Sequence, residues 1–134
     1  LKNQRTAAKG GRSTTFWLAR KEYPGELIGF VSLNGIVYGS FRSCYMSYSS
    51  SAAHARQGYM TEAVQTATDF AFKGLCLHRI EINIVPENQA SMRVAEKAGY
   101  EREGFSPAYL AIDGIWKDHV HMVRLNGEIA ANTL

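Results

Sequence analysis

The sequence predicts a single domain of the α+β class, with a mixed, mostly antiparallel sheet flanked by helices. Its 134 residues suit one hydrophobic core, and a hydrophobic fraction of 46% excludes a disordered chain. Before Gly58, β-rich runs follow one another with short turns between them. After Gly58, helical and strand patterns alternate up to a final hairpin. Since no linker or repeat divides the chain, we expect residues 1–134 to form one domain.

The first twelve residues are basic and polar and end in two glycines. Lys2, Arg5, Lys9 and Arg12 have no acidic residue among them, so residues 1–12 are predicted to be a loose basic arm or the remnant of a helix. We favour a solvated terminus over nucleic-acid binding, because the interleaved aromatic and basic pattern of single-strand binders is missing. The sequence starts at Leu1 rather than Met, which predicts a missing upstream segment.

Composition also bears on the compartment. The two cysteines, Cys44 and Cys76, have neither metal-ligand spacing nor the density of a disulfide scaffold, which predicts reduced thiols in a cytoplasmic protein. No export signal is visible at the start of the sequence. No apolar run approaches the ~20 residues of a transmembrane helix, which excludes a membrane protein. The sequence leaves monomer and homodimer open.

The first half predicts an antiparallel meander. Pro24-Gly25 is predicted to form a tight turn, and Asn34-Gly35 to end a strand. β-branched and aromatic residues predict three strands, at Thr14–Arg20, 27–33 and 43–49.

The second half predicts two helices and four strands. Apolar residues at helical spacing predict one helix over 61–72, capped near Thr61 and stopped by Gly74, and another over 88–97, ended by Gly99. Asp113-Gly114 predicts a hairpin turn. The strands are predicted at 79–85, 100–105, 109–112 and Ile115–Leu125.

Two polar clusters precede the predicted helices. Backbone N–H groups at a helix start form an anion site, and Gly58 lets a phosphate approach the main chain, with Arg56 adding charge. In the second cluster, Asn88 suits the N-cap, and Ser91 lies on the apolar face of its helix. Ser91 either bonds back to the Glu87 carbonyl or has a functional partner. Together the clusters predict a slot at the carboxyl edge of the sheet, suited to a pyrophosphate with a polar arm.

These segments resemble a known family. The runs 57–63, 78–81, 88–91 and 98–104 together resemble the GCN5-related N-acetyltransferase (GNAT) superfamily, and residues 109–119 are similar to its ribosomal-protein-alanine N-acetyltransferase (RimJ/RimL-type) branch. The resemblance implies a three-layer α/β arrangement with a splayed sheet, in which acetyl-CoA lies between the fourth and fifth strands. It also implies that the first strand and helices of the fold are missing here.

The resemblance assigns coenzyme contacts residue by residue. The pyrophosphate loop falls on residues 55–60, where Ala55 and Met60 depart from the family pattern. Asn88 would bond the pantetheine arm or an ordered water, and Ser91 would stand near the sulfur. The coenzyme-binding residues implied are Tyr48, Ser49, Ser50, Arg56, Gln57, Gly58, Tyr59, Met60, Thr61, Asn88 and Ser91.

The resemblance implies direct attack of a primary amine on the thioester of acetyl-CoA, with no metal. Ser91 is the candidate proton donor to the thiolate, and Asn88 is grouped with it as catalytic. A base must first deprotonate the amine, but the acidic residue of the RimL-like pattern is replaced by Leu110. Glu103 is a weak candidate for the base, and we favour a surface role for it. Asp118 and His119 are neighbours on a strand and point to opposite faces, which predicts structural roles.

Three readings of the function stay open. The first is an N-acetyltransferase whose acceptor is a protein N-terminal amine. The second has a small amine, such as a polyamine or an antibiotic, as the acceptor. In the third, the domain binds acyl-CoA without turnover, as a sensor. A nucleotide-binding phosphate loop is disfavoured, because no lysine follows the glycine.

Overall fold

In the computed structural model, which describes residues 2–7, 13–51 and 58–129, the chain forms a seven-stranded sheet. The strands are β1 (Lys2–Ala7), β2 (Thr14–Arg20), β3 (Tyr23–Val37), β4 (Ser43–Ser50), β5 (Arg79–Ile84), β6 (Glu101–Ile112) and β7 (Ile115–Leu125). Their order is β1-β2-β3-β4-β5-β7-β6. The neighbours β4 and β5 are parallel, and the other neighbouring pairs are antiparallel. The predicted mixed, mostly antiparallel sheet is therefore confirmed.

Two helices pack on one face of this sheet. They are α1 (Tyr59–Asp69), which continues into a π-helical turn at Phe70–Gly74, and α2 (Gln89–Lys97). Val64 of α1 and Ala95 of α2 share one core with Ile80 and Ile82 of β5. The strand alternation places Tyr45, Glu81, Asn83 and His121 on the opposite face, which no helix covers in the described part of the chain; we call it the open face.

The strands β4 and β5 separate before either of them ends. Their parallel pairing runs from Ser43 opposite Arg79 to Met46 opposite Ile82, and β4 then continues through residues 47–50. On its other edge, β4 stays paired with β3 as far as Ser50 opposite Gly29. The result is a wedge between residues 47–50 and 83–84, which we call the strand gap. This is the splay between the fourth and fifth strands that the resemblance implies. Since it falls between the fourth and fifth strands of the described sheet, the first strand is present, and the expectation that it is missing is wrong.

The early strands correct two predictions. Residues 2–7 form a strand because their backbone pairs along the edge of β2, so the loose arm or helix remnant is wrong for this segment. Residues 8–12 lie outside the described residues. Pro24-Gly25 and Asn34-Gly35 do not delimit a strand, since β3 runs through both. Residues 24–26 have no register partner on β2, so the N–H that proline lacks is not needed, and Gly35 (φ 58°) sits at a register shift.

Two further corrections concern the second half. Helix α1 begins at Tyr59 with Gly58 as its N-cap, two residues before the predicted start at Thr61. The predicted strands 100–105 and 109–112 form one strand, β6, with a bulge between Ser106 and Leu110. Inside the bulge, the backbone N–H of Ala108 (φ 47°) donates to Asp118 Oδ1 at 2.8 Å. Asp118 therefore has the structural contact predicted for it.

Other predicted elements are close to the observed ones. Asn88 is the N-cap of α2, Gly99 takes a left-handed conformation (φ 92°), and Asp113 and Gly114 both have positive φ in the hairpin turn. Among the described residues, neither helix is long and apolar enough to cross a membrane.

Candidate active site

The first turn of α1 lies beside the far end of β4. Gly58 caps the helix with φ 78° and no side-chain hydrogen bond, and the first turn closes with the amide of Glu62 donating to the Gly58 carbonyl at 3.2 Å. By helix geometry, the amides of Met60 and Thr61 precede that of Glu62, which is the first amide to donate within the helix. These amides and the helix dipole favour a bound anion. Arg56 and Gln57, also predicted for this site, lie outside the described residues.

Gly29 permits a close approach between this turn and the strand gap. A Cβ added to Gly29 would lie 2.5 Å from the Ser49 carbonyl oxygen and 3.2 Å from Cε of Met60. Only a residue without a side chain fits such a contact. The first turn of α1 and residues 47–50 therefore lie side by side across Gly29.

The remaining residues predicted for the coenzyme differ in what they can offer. Ser49 and Ser50 are exposed at the end of β4, and Gly58 is exposed with open space around the position of a Cβ. The Met60 side chain is buried in the core, so its backbone amide is the group that remains for a ligand. Tyr59 and Thr61 are half-buried.

Two hydroxyl groups meet at the strand gap on the helix face. Ser91 Oγ donates to Tyr48 Oη at 3.1 Å, and the Tyr48 hydroxyl donates to the Ser91 carbonyl oxygen at 2.8 Å. The Asn88 side-chain oxygen accepts from the Ser91 backbone N–H at 3.1 Å, which fixes the first turn of α2. The predicted bond from Ser91 back to the Glu87 carbonyl is replaced by the contact with Tyr48. We call these two residues the hydroxyl pair.

The environment of the hydroxyl pair keeps it protonated. Burial raises the pKa of Tyr48, and its hydrogen bond with Ser91 opposes the shift only in part. Both hydroxyls therefore hold their protons at neutral pH. Sequence reasoning placed Tyr48 at the gap through its main chain and missed its side chain. The signal was available, because alternation along β4 puts residue 48 on the same face as the buried Cys44 and Met46.

A second polar cluster occupies the open face beside the gap. His121 Nε2 lies 2.7 Å from Ser106 Oγ, and His121 Nδ1 is hydrogen-bonded to Asn83 Oδ1. The same Nδ1 is 3.6 Å from a carboxylate oxygen of Glu81. The ring of Tyr109 packs edge-on against the imidazole, with 4.8 Å between the ring centroids. Sequence analysis missed this cluster, although the period-2 alternation of β5 and β7 places Asn83 and His121 opposite each other.

Glu103, the weak candidate for the base, lies in an ion pair on the surface. Both of its carboxylate oxygens bind the Arg79 guanidinium, at 2.7 and 2.8 Å, and this pairing lowers the pKa of Glu103. An exposed, ion-paired carboxylate is a weak proton acceptor, so the surface role fits the geometry. Leu110, which stands where the RimL-like pattern has an acidic residue, is 46% exposed.

Comparison with known proteins gives a family and several relatives. The acetyltransferase (GNAT) domain profile matches residues 2–101. The chain is 45% identical over 101 residues to the probable N-acetyltransferase YjcK of Bacillus subtilis, covering 75% of this chain and 56% of that protein. It is 38% identical over 95 residues to the Escherichia coli [ribosomal protein uS5]-alanine N-acetyltransferase, covering 71% and 49%. A spermidine N(1)-acetyltransferase of Vibrio cholerae is 28% identical over 103 residues, covering 77% and 59%.

Solved structures agree with this grouping. Mycobacterium smegmatis RimJ in complex with CoA-disulfide superposes with a TM-score of 0.82 at 30% identity, covering 89% of this chain and 56% of that one. The ribosomal-protein-S5-alanine acetyltransferase of Vibrio fischeri also gives a TM-score of 0.82, at 31% identity, covering 87% and 63%. The chain spans about half the length of the curated relatives it matches.

Proposed function

The chain belongs to the GNAT acetyltransferase family, and from that membership we propose that it transfers the acetyl group of acetyl-CoA to a primary amine, with a protein N-terminal amine as the acceptor. The observation that carries the proposal is the strand gap, with the first turn of α1 at one end and the hydroxyl pair inside it. Since the two cysteines are free, we place the activity in the reducing cytoplasm.

Each part of the coenzyme has a chemical counterpart at this gap. The Met60 and Thr61 amides, with Gly58 giving access, would hold the pyrophosphate. The backbone of residues 47–50, beyond the β4–β5 pairing, would hydrogen-bond the pantetheine amides as an added strand does. Asn88 would contact the same arm. Related proteins support the proposal, since one RimJ structure contains a CoA-disulfide.

The hydroxyl pair would act when the thioester breaks. As the amine nitrogen bonds to the acetyl carbon, the carbon–sulfur bond releases a thiolate that needs a proton. Ser91 and Tyr48 are mutually hydrogen-bonded hydroxyls, so either one can give its proton to the sulfur while the other stabilises the resulting oxygen. Ser91 remains our first donor, and Tyr48 is added as its partner.

Two observations favour a peptide amine over a polyamine. Among the relatives, the uS5-alanine enzyme is 38% identical and the spermidine enzyme 28%. On the described open face, Glu81 and Glu103 both bind Arg79, which already occupies two carboxylates that could pair with the second ammonium group of a polyamine. The relative that acts on spermidine keeps a small polyamine as the second candidate.

The proposal is tested by binding and then by transfer. Acetyl-CoA at 100 times its dissociation constant should stabilise the protein by about 2.7 kcal/mol in thermal or urea unfolding. Mass spectrometry should then show a gain of one acetyl group on a peptide that starts with alanine, and much less product with spermidine. The same peptide with a blocked N-terminus is the control.

The outcomes separate the three readings. Faster acetylation of spermidine than of the peptide would select the small-amine function. Stabilisation by acetyl-CoA without transfer to any amine would select a coenzyme sensor. A protein that acetyl-CoA does not stabilise would contradict all three.

A further inference from the structure

We propose that Ser106 and His121 form the proton relay that deprotonates the acceptor amine on the open face of the sheet. This inference rests on the proposed acetyl transfer and supplies the base that the sequence left unidentified.

The hydrogen bonds fix which nitrogen of His121 can accept a proton. Nδ1 faces two oxygen atoms, Asn83 Oδ1 and a carboxylate oxygen of Glu81, so this nitrogen carries the hydrogen. Nε2 then has the lone pair, and it accepts the hydrogen bond of the Ser106 hydroxyl at 2.7 Å. The Glu81 carboxylate, 3.6 Å away, stabilises the imidazolium that forms when Nε2 is protonated.

Access to His121 runs through Ser106. The His121 side chain is only 14% exposed, and Tyr109 packs against its ring. Ser106 is half-buried at the start of the β6 bulge, and a second lone pair on its oxygen can accept a hydrogen bond from an amine or a water. A proton from outside can therefore reach Nε2 by way of Ser106 Oγ.

The relay lies next to the place where the thioester would react. Asn83 follows Ile82, the last residue of β5 paired with β4, so it stands at the rim of the strand gap. His121 is opposite Asn83 on β7, one strand away or about 4.8 Å. The hydroxyl pair is on the other face of the sheet, because Tyr48 and Ser91 meet beside α2. The amine thus loses its proton on one face and the thiolate gains a proton on the other.

The relay moves one proton from the acceptor amine to His121. An acceptor ammonium group gives one proton to a water or directly to Ser106 Oγ, and the serine hydroxyl passes its own proton to His121 Nε2. The products are a neutral amine with a lone pair, an intact serine and an imidazolium beside Glu81. The amine then attacks the acetyl carbon, and the imidazolium returns its proton to solvent. The nitrogen of the tetrahedral intermediate loses its second proton to water as the carbon–sulfur bond breaks, and water returns a proton to the hydroxyl that protonated the thiolate.

The test compares two nucleophiles in three variants of the purified protein. We expect His121→Gln to lower kcat at least tenfold with an alanine-starting peptide, whose amine is charged, while the Kd for acetyl-CoA stays the same. With hydroxylamine, which is uncharged at neutral pH, we expect a loss of less than threefold. Ser106→Ala should show the same pattern with smaller losses. His78→Gln, at an exposed histidine, should match the wild type.

The nucleophile comparison distinguishes a relay from a structural role. Partial recovery of the peptide reaction by added imidazole in His121→Ala would support the relay. Equal losses with both nucleophiles, or no loss in either variant, would overturn it while leaving the proposed transfer intact. A wild-type protein that acetylates neither nucleophile would overturn the proposed function and the relay with it.

Discussion

The contact between Ser91 and Tyr48 is the residue-scale feature on which the chemistry depends. Ser91→Ala removes a donor of the hydroxyl pair, so we expect kcat to fall by about tenfold or more, with little change in the Kd for acetyl-CoA. Tyr48→Phe should have a similar effect, and the double variant should lose less than the sum because the two groups act as one unit. Steady-state kinetics with equilibrium binding measures both quantities. Thr66→Ala, which removes an exposed hydroxyl of α1, is the control.

A second residue-scale prediction concerns the cap of α1. Gly58→Val should weaken acetyl-CoA binding, because a side chain would stand where the pyrophosphate approaches the main chain. The left-handed backbone (φ 78°) adds a strain of about 1–2 kcal/mol. Gly114→Val imposes the same strain at the hairpin turn (φ 77°), where a Cβ also meets open space.

Comparing these two variants separates strain from ligand blocking. Both should lose similar stability in urea unfolding, and only Gly58→Val should lose affinity in calorimetry. Equal affinities in the two variants would show that the pyrophosphate binds elsewhere.

For single residues, the sequence predicted the place in a helix or strand better than the hydrogen-bond partner. Asn88 as the N-cap followed from residue type alone. The partner of Ser91 did not, because Tyr48 is 43 residues away and only the packing of α2 against β4 brings the hydroxyls together. The same limit applies to His121, whose three polar partners come from two other strands.

The β6 bulge is the element that places Tyr109 and Ser106 around His121. Its Ala108 amide has Asp118 as its acceptor, so Asp118→Ala should leave that exposed amide to water and destabilise the fold by about 0.5–1.5 kcal/mol. Asp118→Asn keeps an acceptor oxygen and should lose less. Urea unfolding of the two variants measures the difference. Similar losses in both would mean that the charge of Asp118 matters rather than its hydrogen bond.

The bounds of helices and strands were predicted well where the hydrophobic pattern was long, and wrongly where a glycine or proline was taken as the end of a strand. The alternating β5 and the periodic α2 were found within a residue or two of their bounds. The long strands β3 and β6 were underestimated, because Pro24, Gly35 and Pro107 lie at bulges inside them. A bulge absorbs such a residue without ending the strand, and local sequence does not distinguish the two cases.

At the scale of the whole molecule, a thiol and a phenol hydroxyl buried in the core make the free energy of unfolding depend on pH. Burial raises the pKa of the Cys44 thiol from 9.0 to about 12 and holds the pKa of Tyr100 well above its ordinary value. The folded state keeps protons that the unfolded chain releases, so stability is full below pH 9 and falls as the pH rises. Cys44 alone should account for about 2 kcal/mol by pH 10.5.

Urea unfolding at pH 8 and pH 10.5 measures this loss. Cys44→Ala lowers stability at both pH values through its cavity, but it should shrink the difference between them. An unchanged difference would show that Cys44 does not contribute to the alkaline loss.

The overall architecture was the most predictable level, since strand and helix order with one parallel crossover leaves few arrangements. The splay and the coenzyme contacts came only through family resemblance. Neither composition nor periodicity encodes where two paired strands part.

The separation of β4 and β5 also affects how readily the protein aggregates. A strand edge with unpaired backbone groups can pair with a strand of another protein chain, and aggregation commonly begins at such edges. Residues 47–50 have such an unpaired edge in the middle of the sheet rather than at its outer border. Bound coenzyme would cover this unpaired edge. Refolding yields should therefore rise when acetyl-CoA is present from the start of refolding, and aggregation of the purified protein during storage should be slower when acetyl-CoA is added.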